Sequence, residues 1–536
     1  MKNKTVAAQP LPADYTGRPP LLYRPEDSAA DHPHAKWIPV VAVDIPFPLE
    51  IFYSVCDEML LHPEWNSTCI MRCDILDASF DGTKDHNAPS FVNHRHTKTT
   101  RRKLLPRKPS DGTLVQNCHF YETKDGTSPH SGLLVMLPEL SPQSPEAIPF
   151  YHPQVAGLAF RHFSHSAQNG DSNTHSIGSG TLQIDYLPLE SSPDIATIPP
   201  GQPYWPTDSR TYRTALQLLS LVAKHGKARA STADYVKRIH HDKIVPREMY
   251  QDLYTEIKPK YVWILKDWKE STDPLKHLFE DIAIATFLIC LWRIMYPGNG
   301  GHPPGGFVDV GCGNGLLVYI LHNEGYKGYG VDMRARKSWS LWGPEVDLRT
   351  TTLSPPEMCL LGETKEGLTS PDTSPFPNGS FLIGNHADEL TPWIPLLASV
   401  TPHASFFNMP CCLHTFDARF TRQEYKIDET LLESLPHMKE DVRAFQAMSR
   451  DNGGRYAAYI NYLAEMTMRA GWKPERESLR IPSTKAWAFI GRKRVWDGHS
   501  DEVEKEVEVK EWIGGIARGC LQTWKPRPAE GGGKEH

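Results

Sequence analysis

The segment FVDVGCGNGLLVYILHNEGYKGYGVD, residues 307–332, most constrains what this chain can fold into. An apolar strand, a turn with three alternating glycines, a helix and a second strand follow one another without interruption. The pattern predicts a β-α-β unit: strand Phe307 to Val310, helix Leu316 to Asn323, and strand Gly328 to Val331, ending at Asp332. Glycines at the turn let the backbone approach a ligand closely. A dinucleotide fingerprint GxGxxG starting at Gly311 would need glycine at position 316, where Leu316 stands. The series Asp309, Gly311, Gly313, Gly315 fits DxGxGxG without a mismatch, and that spacing points to S-adenosylmethionine.

In this reading the loop borders the methionine moiety and Asp309 supplies negative charge or a water-mediated acceptor near its ammonium group. Asp332 stands 17 positions beyond Gly315, where a carboxylate accepts both hydroxyl protons of an adenosine ribose. Its competing role is a helix cap ahead of Arg334, Arg336 and Lys337.

The rest of the chain organises around this unit. A helix starting at Asp273-Pro274 runs through the apolar stretch Ile282 to Trp292; at about half the roughly 20 residues a membrane helix needs, it reads as a core helix, and no membrane partner is expected. Further strands are expected near 346–350, 380–384 and 404–408, then a helix from Arg455 to Ala470 and a hairpin pairing 479–481 with 487–491. The fold class is therefore α/β: a Rossmann-like sheet of five parallel strands with helices on both faces, closed by the hairpin, plus an N-terminal α+β domain. The expected boundaries are a disordered arm at 1–35, the N-terminal domain at 36–187, a linker and helical lead-in at 188–270, the cofactor domain at 271–494, and an acidic, flexible tail at 495–536. Polar interruptions at 362–379 and 495–510 read as exposed insertions.

Ten cysteines with no CxxC pair favour reduced thiols in a cytosolic or nuclear compartment, and the proline-broken N-terminus lacks the apolar stretch of a secretion signal. With a formal net charge of −6, a nucleic-acid partner has to be met by a local basic surface. One such run holds Arg95, Lys98, Arg101, Arg102, Lys103, Arg107 and Lys108 without an acid; a second, Lys224 to Arg247, includes Lys237 and Arg238, with Tyr235, His240 and His241 interleaved. A solvated loop or a localisation signal is the bland reading of the first run, and helix packing that of Tyr235.

The glycine-loop segment, with KHLFEDIAIATFLICLW upstream and GNHADELTPWIP, MPCCLHTFD and RIPSTKAWAFIGR downstream, resembles the tRNA (uracil-2′-O-)-methyltransferases that modify position 44 of serine tRNA. RRKLLPRKP, FYHP and HHDKIVPRE extend the likeness N-terminally, so that it covers about residues 40–494. The resemblance implies a cytoplasmic, S-adenosylmethionine-dependent enzyme acting on tRNA, with serine tRNA the expected partner; an accessory protein is compatible with it, and the oligomeric state is left open. Some relatives carry a Cys/His zinc finger near the C-terminus. Here residues 495–536 hold only Cys520, His499 and His536, so that module is not expected.

Methyl transfer to a ribose oxygen is an in-line displacement in which a base removes the hydroxyl proton. Substrates in this fold class meet the cofactor beyond the carboxyl ends of the strands, which nominates Asn385, His386, Asp388 and Glu389 after the fourth strand and Asn408 to Cys412 after the fifth. Asn385 is assigned to the cofactor and Asp388 is the leading base, with His386 as an alternative proton carrier and Lys485 as a base or oxyanion stabiliser. A helix cap is the bland role of Asp388. No metal is needed: Cys411, Cys412 and His414 stand too close together for a structural zinc site. Two other functions stay open, methylation of a protein or small molecule, and a non-catalytic RNA-binding module on a methyltransferase-like fold.

Overall fold

The computed structural model describes residues 8–18, 21, 23–24, 37–79, 88–124, 131–140, 148–165, 179–231, 241–361, 374–435, 442, 454–483, 485–497 and 502–526. The chain divides into two units, Met1–Val236 and Lys237–His536.

The first unit is an eight-stranded antiparallel sheet. Its order is Gln9–Pro10, Ile38–Ile45, Gly180–Leu187, Gly157–Ser164, Ser131–Pro138, Leu114–Thr123, His94–Pro106 and Ile70–Ser79. Period-two alternation sends Phe120, Leu134, Phe160, Leu182 and Ile184 to one face, where helices Leu49–Leu61 and Arg210–Ser231 cover them in a single apolar cluster. The opposite face carries the buried ion pair Arg161–Asp185, 2.9 Å long, with Gln183 donating to Asp185.

Two expected boundaries shift. The linker and helical lead-in placed at 188–270 is split between the units, because the helix at 210–231 belongs to the first of them. Its stripe Ala215, Leu219 and Val222 is the apolar cover that the sheet face requires. The arm placed at 1–35 is ordered over part of its length: Gln9–Pro10 pairs with Val41–Ala42 at the sheet edge, and Leu11 and Ala13 are buried. Proline lacks a ladder donor, and an edge strand is where it is tolerated. Residues 25–36 lie outside the described residues.

The second unit is the α/β body. Its sheet runs Leu348–Thr350, Gly328–Asp332, Phe307–Val310, Phe381–Asn385, Ser405–Met409, Trp487–Gly491, Glu475–Ser478; the first five strands are parallel and the last two antiparallel. The order reverses at Phe307–Val310, so its carboxyl end opens into a crevice suited to a ligand. Helix Pro274–Met295 starts where the Asp273 carboxylate accepts the Leu275 N–H, and buries a nearly continuous run from Ile282 to Trp292. No helix among the described residues is long and apolar enough to cross a membrane.

The closing hairpin begins earlier than its apolar pattern suggests, at Glu475–Ser478 instead of 479–481. Two charged residues there are buried for specific reasons. Arg476 lies over the Trp487 ring, and the Glu477 carboxylate accepts the N–H groups of Asp242, Ile244 and Val245. The tail expected to be flexible at 495–536 instead contains helix Glu502–Cys520, which sinks Ile513 and Ala517 into the core shared with Trp393, Leu397 and Leu463. Its alternating charges form the solvated face of an amphipathic helix. Residues 527–536, and 362–373 of the other insertion, lie outside the described residues.

Ile513→Ala is therefore expected to cost about 2–5 kcal/mol, as deletion of a fully buried aliphatic side chain does. Urea unfolding checks this, and an unchanged midpoint would show that the helix does not support the core.

Candidate active site

The glycine loop leaves strand Phe307–Val310 with Gly311, Gly313 and Gly315 all at positive φ. The need for glycine is sterically concrete at Gly315, where a Cβ would come within 2.8 Å of Leu348; at Gly313 a Cβ would meet nothing within 4 Å, and the positive φ of 52° alone favours glycine. The loop is pinned from both sides. Gly313 N–H donates to the Asp332 carboxylate at 3.0 Å, while the Trp339 and Trp342 indoles donate to the Gly313 and Asn314 carbonyls at 2.9 and 2.7 Å.

Beside the loop lies a cavity of about 600 Å³, bordered by Glu280, Asp281, Asp309, Gly311, Cys312, Gly313, Asn314, Arg336, Asn385, His386, Asp388, Cys411, Cys412 and Lys485 among others. The structure thus brings Asp309, Gly311, Gly313, Asn385, His386, Asp388, Cys411, Cys412 and Lys485, nine of the residues nominated from sequence, to one cavity. Asp332 and Gly315 do not line it. Asp332 adjoins it through Gly313 and Arg336, which do line it: its two carboxylate oxygens accept one backbone N–H each, from Gly313 and Arg334, and the Arg336 guanidinium lies 3.8 Å away. Neither Glu389 nor Asn408 lines it; Asn408 is buried and donates to the Thr391 carbonyl.

One wall is acidic. Asp309 is 1% exposed and Glu280 4% exposed. Asp281 accepts from the Asn385 amide at 3.3 Å, and Glu280 lies 3.2 Å from His386 Nε2. Burial, with Glu280 adjacent, pushes the Asp281 carboxyl up to about 8; burial, with Asp281 and Asp332 nearby, pushes that of Asp309 well above the usual carboxylate range. The buried oxygens Asp309 Oδ1 and Asn385 Oδ1 have no partner in the structure. A cationic ligand with N–H donors answers both conditions, and the sulfonium and ammonium groups of S-adenosylmethionine are such a ligand.

Because Asp281 and Asp309 are held protonated, a cationic donor should bind with release of a proton. Affinity is expected to rise with pH below about 8, by up to about tenfold per unit for one proton released. The free fold shows the opposite sign: it binds that proton more tightly than the unfolded chain, so the contribution of Asp281 to stability declines as pH rises toward the same value. Calorimetry between pH 6 and 7.5, below the range in which an α-amino group titrates, tests this; an affinity independent of pH there would refute it.

The same cavity also holds the candidate reactive groups. His386 and Asp388 both sit at positive φ, 54° and 45°, directly after strand Phe381–Asn385. Such backbone is costly for residues with a Cβ and is retained where it aims a side chain. The Cys411 thiol donates to Asp388 at 3.4 Å, and Lys485 Nζ donates to the Cys411 carbonyl at 2.6 Å. Asp388, Cys411 and Cys412 bring an oxygen and two sulfurs within 4.8 Å of one another. Cys412, burial and Asp388 all push the Cys411 thiol up, which suits it as the donor to Asp388.

Sequence reasoning missed Glu280, Asp281, Trp339 and Trp342. The signal was present for the first two: adjacent acids in KHLFEDIAIATF interrupt an otherwise apolar helix. The tryptophans sit in KSWSLW, whose indole donors can be matched to the loop only through the fold.

Of the seven cations in the basic run of the first unit, Arg102 alone is buried, and three others are paired with acids of the same unit. Arg102, nominated for RNA, is buried and donates to Gln116 Oε1 at 2.8 Å and to the Leu60 carbonyl at 2.5 Å, so it is a packing residue. Arg95 pairs with Glu122, Lys98 with Asp57 at 2.6 Å, and Arg101 with Glu139 at 2.7 Å. Acids on neighbouring elements supply the counter-charges that the run itself lacks. Lys103 is half-buried, and Arg107 and Lys108 are exposed. Lys237 and Arg238 lie outside the described residues.

Comparison with known proteins follows the same division. Residues 14–238 match the family model "TRM44-like, N-terminal bet v1-like domain", and residues 244–353 match "Predicted AdoMet-dependent methyltransferase". A tRNA (uracil-O(2)-)-methyltransferase of Neurospora crassa is 34% identical over 524 residues, covering 91% of this chain and 92% of the relative. One of Schizosaccharomyces pombe is 35% identical over 484 residues, 85% of each chain, and one of Saccharomyces cerevisiae 29% identical over 569 residues, covering 91% and 92%.

Proposed function

The chain belongs to the tRNA (uracil-O(2)-)-methyltransferase family, and from that premise we propose that it methylates the ribose 2′-oxygen of a uridine in tRNA, at position 44 of serine tRNA. When bound, S-adenosylmethionine supplies an electrophilic methyl group attached to sulfur. The observation that carries the reading is that one cavity is lined by two sets of groups, the acids Glu280, Asp281 and Asp309 and the pair Asp388 and Lys485. The first suits a cationic donor. The second suits an acceptor hydroxyl that must lose a proton.

In this mechanism Asp388 takes the proton from the acceptor hydroxyl as the new bond forms, and the Cys411 thiol holds the carboxylate in place. Lys485, anchored on the Cys411 carbonyl, faces the negative charge developing on that oxygen. His386 lies against Glu280, so a base role for it would break that pair; its place is in orienting the acidic wall. Asp332 orders Gly313 and offers its remaining lone pairs to the donor's ribose. Asn385 ties Asp281 to the end of its strand and presents its free Oδ1 to the donor. Lys103, Arg107, Lys108, Lys237 and Arg238 remain the candidates for electrostatic contact with tRNA outside the catalytic cavity. The enzyme is assigned to the cytoplasm, where its substrate and reduced cysteines are both accommodated.

Purified protein incubated with labelled S-adenosylmethionine and unmodified total tRNA, followed by nucleoside mapping, tests donor, acceptor and position together. Label in 2′-O-methyluridine at position 44 of serine tRNA is the expected result. Label on another nucleoside, or none, would refute the assignment.

A further inference from the structure

A second cavity, of about 240 Å³, adjoins the first and shares Cys411, Cys412 and Lys485 with it. Its character is opposite to that of the acidic wall, for Arg419, Thr421 and Arg455 complete its rim. Arg419 and Arg455 are exposed, and neither forms an ion pair among the described residues. That separates them from Arg95, Lys98 and Arg101, which are matched to acids on neighbouring elements.

Both arginines stand on fixed supports. Arg419 is carried by a turn closed by Phe420 N–H to the Leu413 carbonyl at 3.0 Å and Thr415 N–H to the Ala418 carbonyl at 2.8 Å. The next residue, Phe420, is rooted in the core against Tyr459 and Tyr462. Arg455 opens the 15-residue helix Arg455–Arg469, whose first turn is preceded by Gly454 and so receives no side-chain cap at that position. The unsatisfied N–H groups and positive end of that helix add to the charge of the two guanidiniums and of Lys485. The acid nearest in sequence, Asp417, accepts from the Thr523 hydroxyl.

We propose that this cavity binds a backbone phosphodiester of the RNA strand that carries the acceptor sugar. Arg419 and Arg455 grip its non-bridging oxygens, Thr421 donates from its hydroxyl, and Lys485 stands between the phosphate and the acceptor oxygen. The inference rests on the RNA-acceptor reading above and adds the group that sets the acceptor sugar's position. A phosphate belongs to the same chain as the ribose to be methylated, and the two cavities meet at Lys485. A guanidinium pair suits phosphate because its planar donors match the oxygens in two-point contact.

The test uses the full chain with Arg419→Ala and Arg455→Ala combined, and Arg419→Glu as a second variant. Binding of fluorescent unmodified tRNA is followed by anisotropy over a series of salt concentrations, and S-adenosylmethionine binding by calorimetry. The double variant should bind tRNA at least about tenfold more weakly, and its log–log salt slope should fall by about one, the worth of one phosphate. KM for tRNA should rise in step, with donor affinity unchanged. Inorganic phosphate should inhibit the wild type competitively with tRNA, and the double variant less. Wild-type tRNA affinity and salt slope in both variants would overturn the phosphate site alone. Equal loss of donor binding would mark the arginines as structural and also overturn it. A wild-type chain that transfers label to no RNA would fail the acceptor reading first, and the inference with it.

Discussion

Asp332→Ala is expected to weaken S-adenosylmethionine binding at least about 100-fold, with the donor-free protein less stable but still folded. The carboxylate holds Gly313 N–H and Arg334 N–H at 3.0 and 3.2 Å. Hydrogen bonds to a charged group are worth roughly 1.5–3 kcal/mol each, so loss of both the loop anchor and the ribose acceptors removes several kcal/mol from binding. The outcome for Asp332→Asn separates this account from one based on charge alone. An amide has one acceptor oxygen and would turn its NH2 toward either Gly313 N–H or Arg334 N–H, so asparagine should lose nearly as much affinity as alanine. Calorimetry on the two variants decides: donor affinity within threefold of wild type in the alanine variant would mean that the ribose is held elsewhere.

The loop itself was readable because its constraints are local. Alternating glycines after an apolar strand determine both the turn and the approach of a ligand, and Asp332 falls at a strand end by simple counting. Glu280 and Asp281 were hidden by the opposite circumstance. Their helix reads as apolar cover, and only the packing of Pro274–Met295 against the sheet carries two of its side chains to the crevice where Asp309 ends its strand. Arg102 shows how a charge count misleads in a strand. Successive side chains of His94–Pro106 point to opposite faces, so one run of cations contains a buried packing residue and exposed arginines whose counter-charges lie far away in sequence. Helix Arg210–Ser231 was assigned to a linker because its apolar stripe has no partner within its own segment; the partner is a sheet that ends at Leu187. The same reasoning explains the tail, where the charges of Glu502–Lys510 are conspicuous and the apolar anchors Ile513 and Ala517 follow them.

Asp388→Asn is expected to lower kcat by about 10²–10⁴, the usual worth of a positioned base, while leaving donor affinity close to wild type. The amide can still accept from the Cys411 thiol, so the turn keeps its shape; what it loses is the capacity to take a proton. Residual activity should then climb with pH, because solvent hydroxide replaces the missing base, and the variant should gain proportionally more than wild type between pH 7 and 9. Lys485→Ala should also lose rate by a different route. Its ammonium stabilises charge on the acceptor oxygen, so removing it raises the barrier without shifting the burden of deprotonation to solvent. If Lys485 were the base instead, the hydroxide-dependent residual rate would appear in the lysine variant and not in Asp388→Asn. Single-turnover kinetics with tRNA saturating isolate the chemical step in both. That reversal would reassign the proton to Lys485 while leaving the acidic wall, and the donor it holds, where they are.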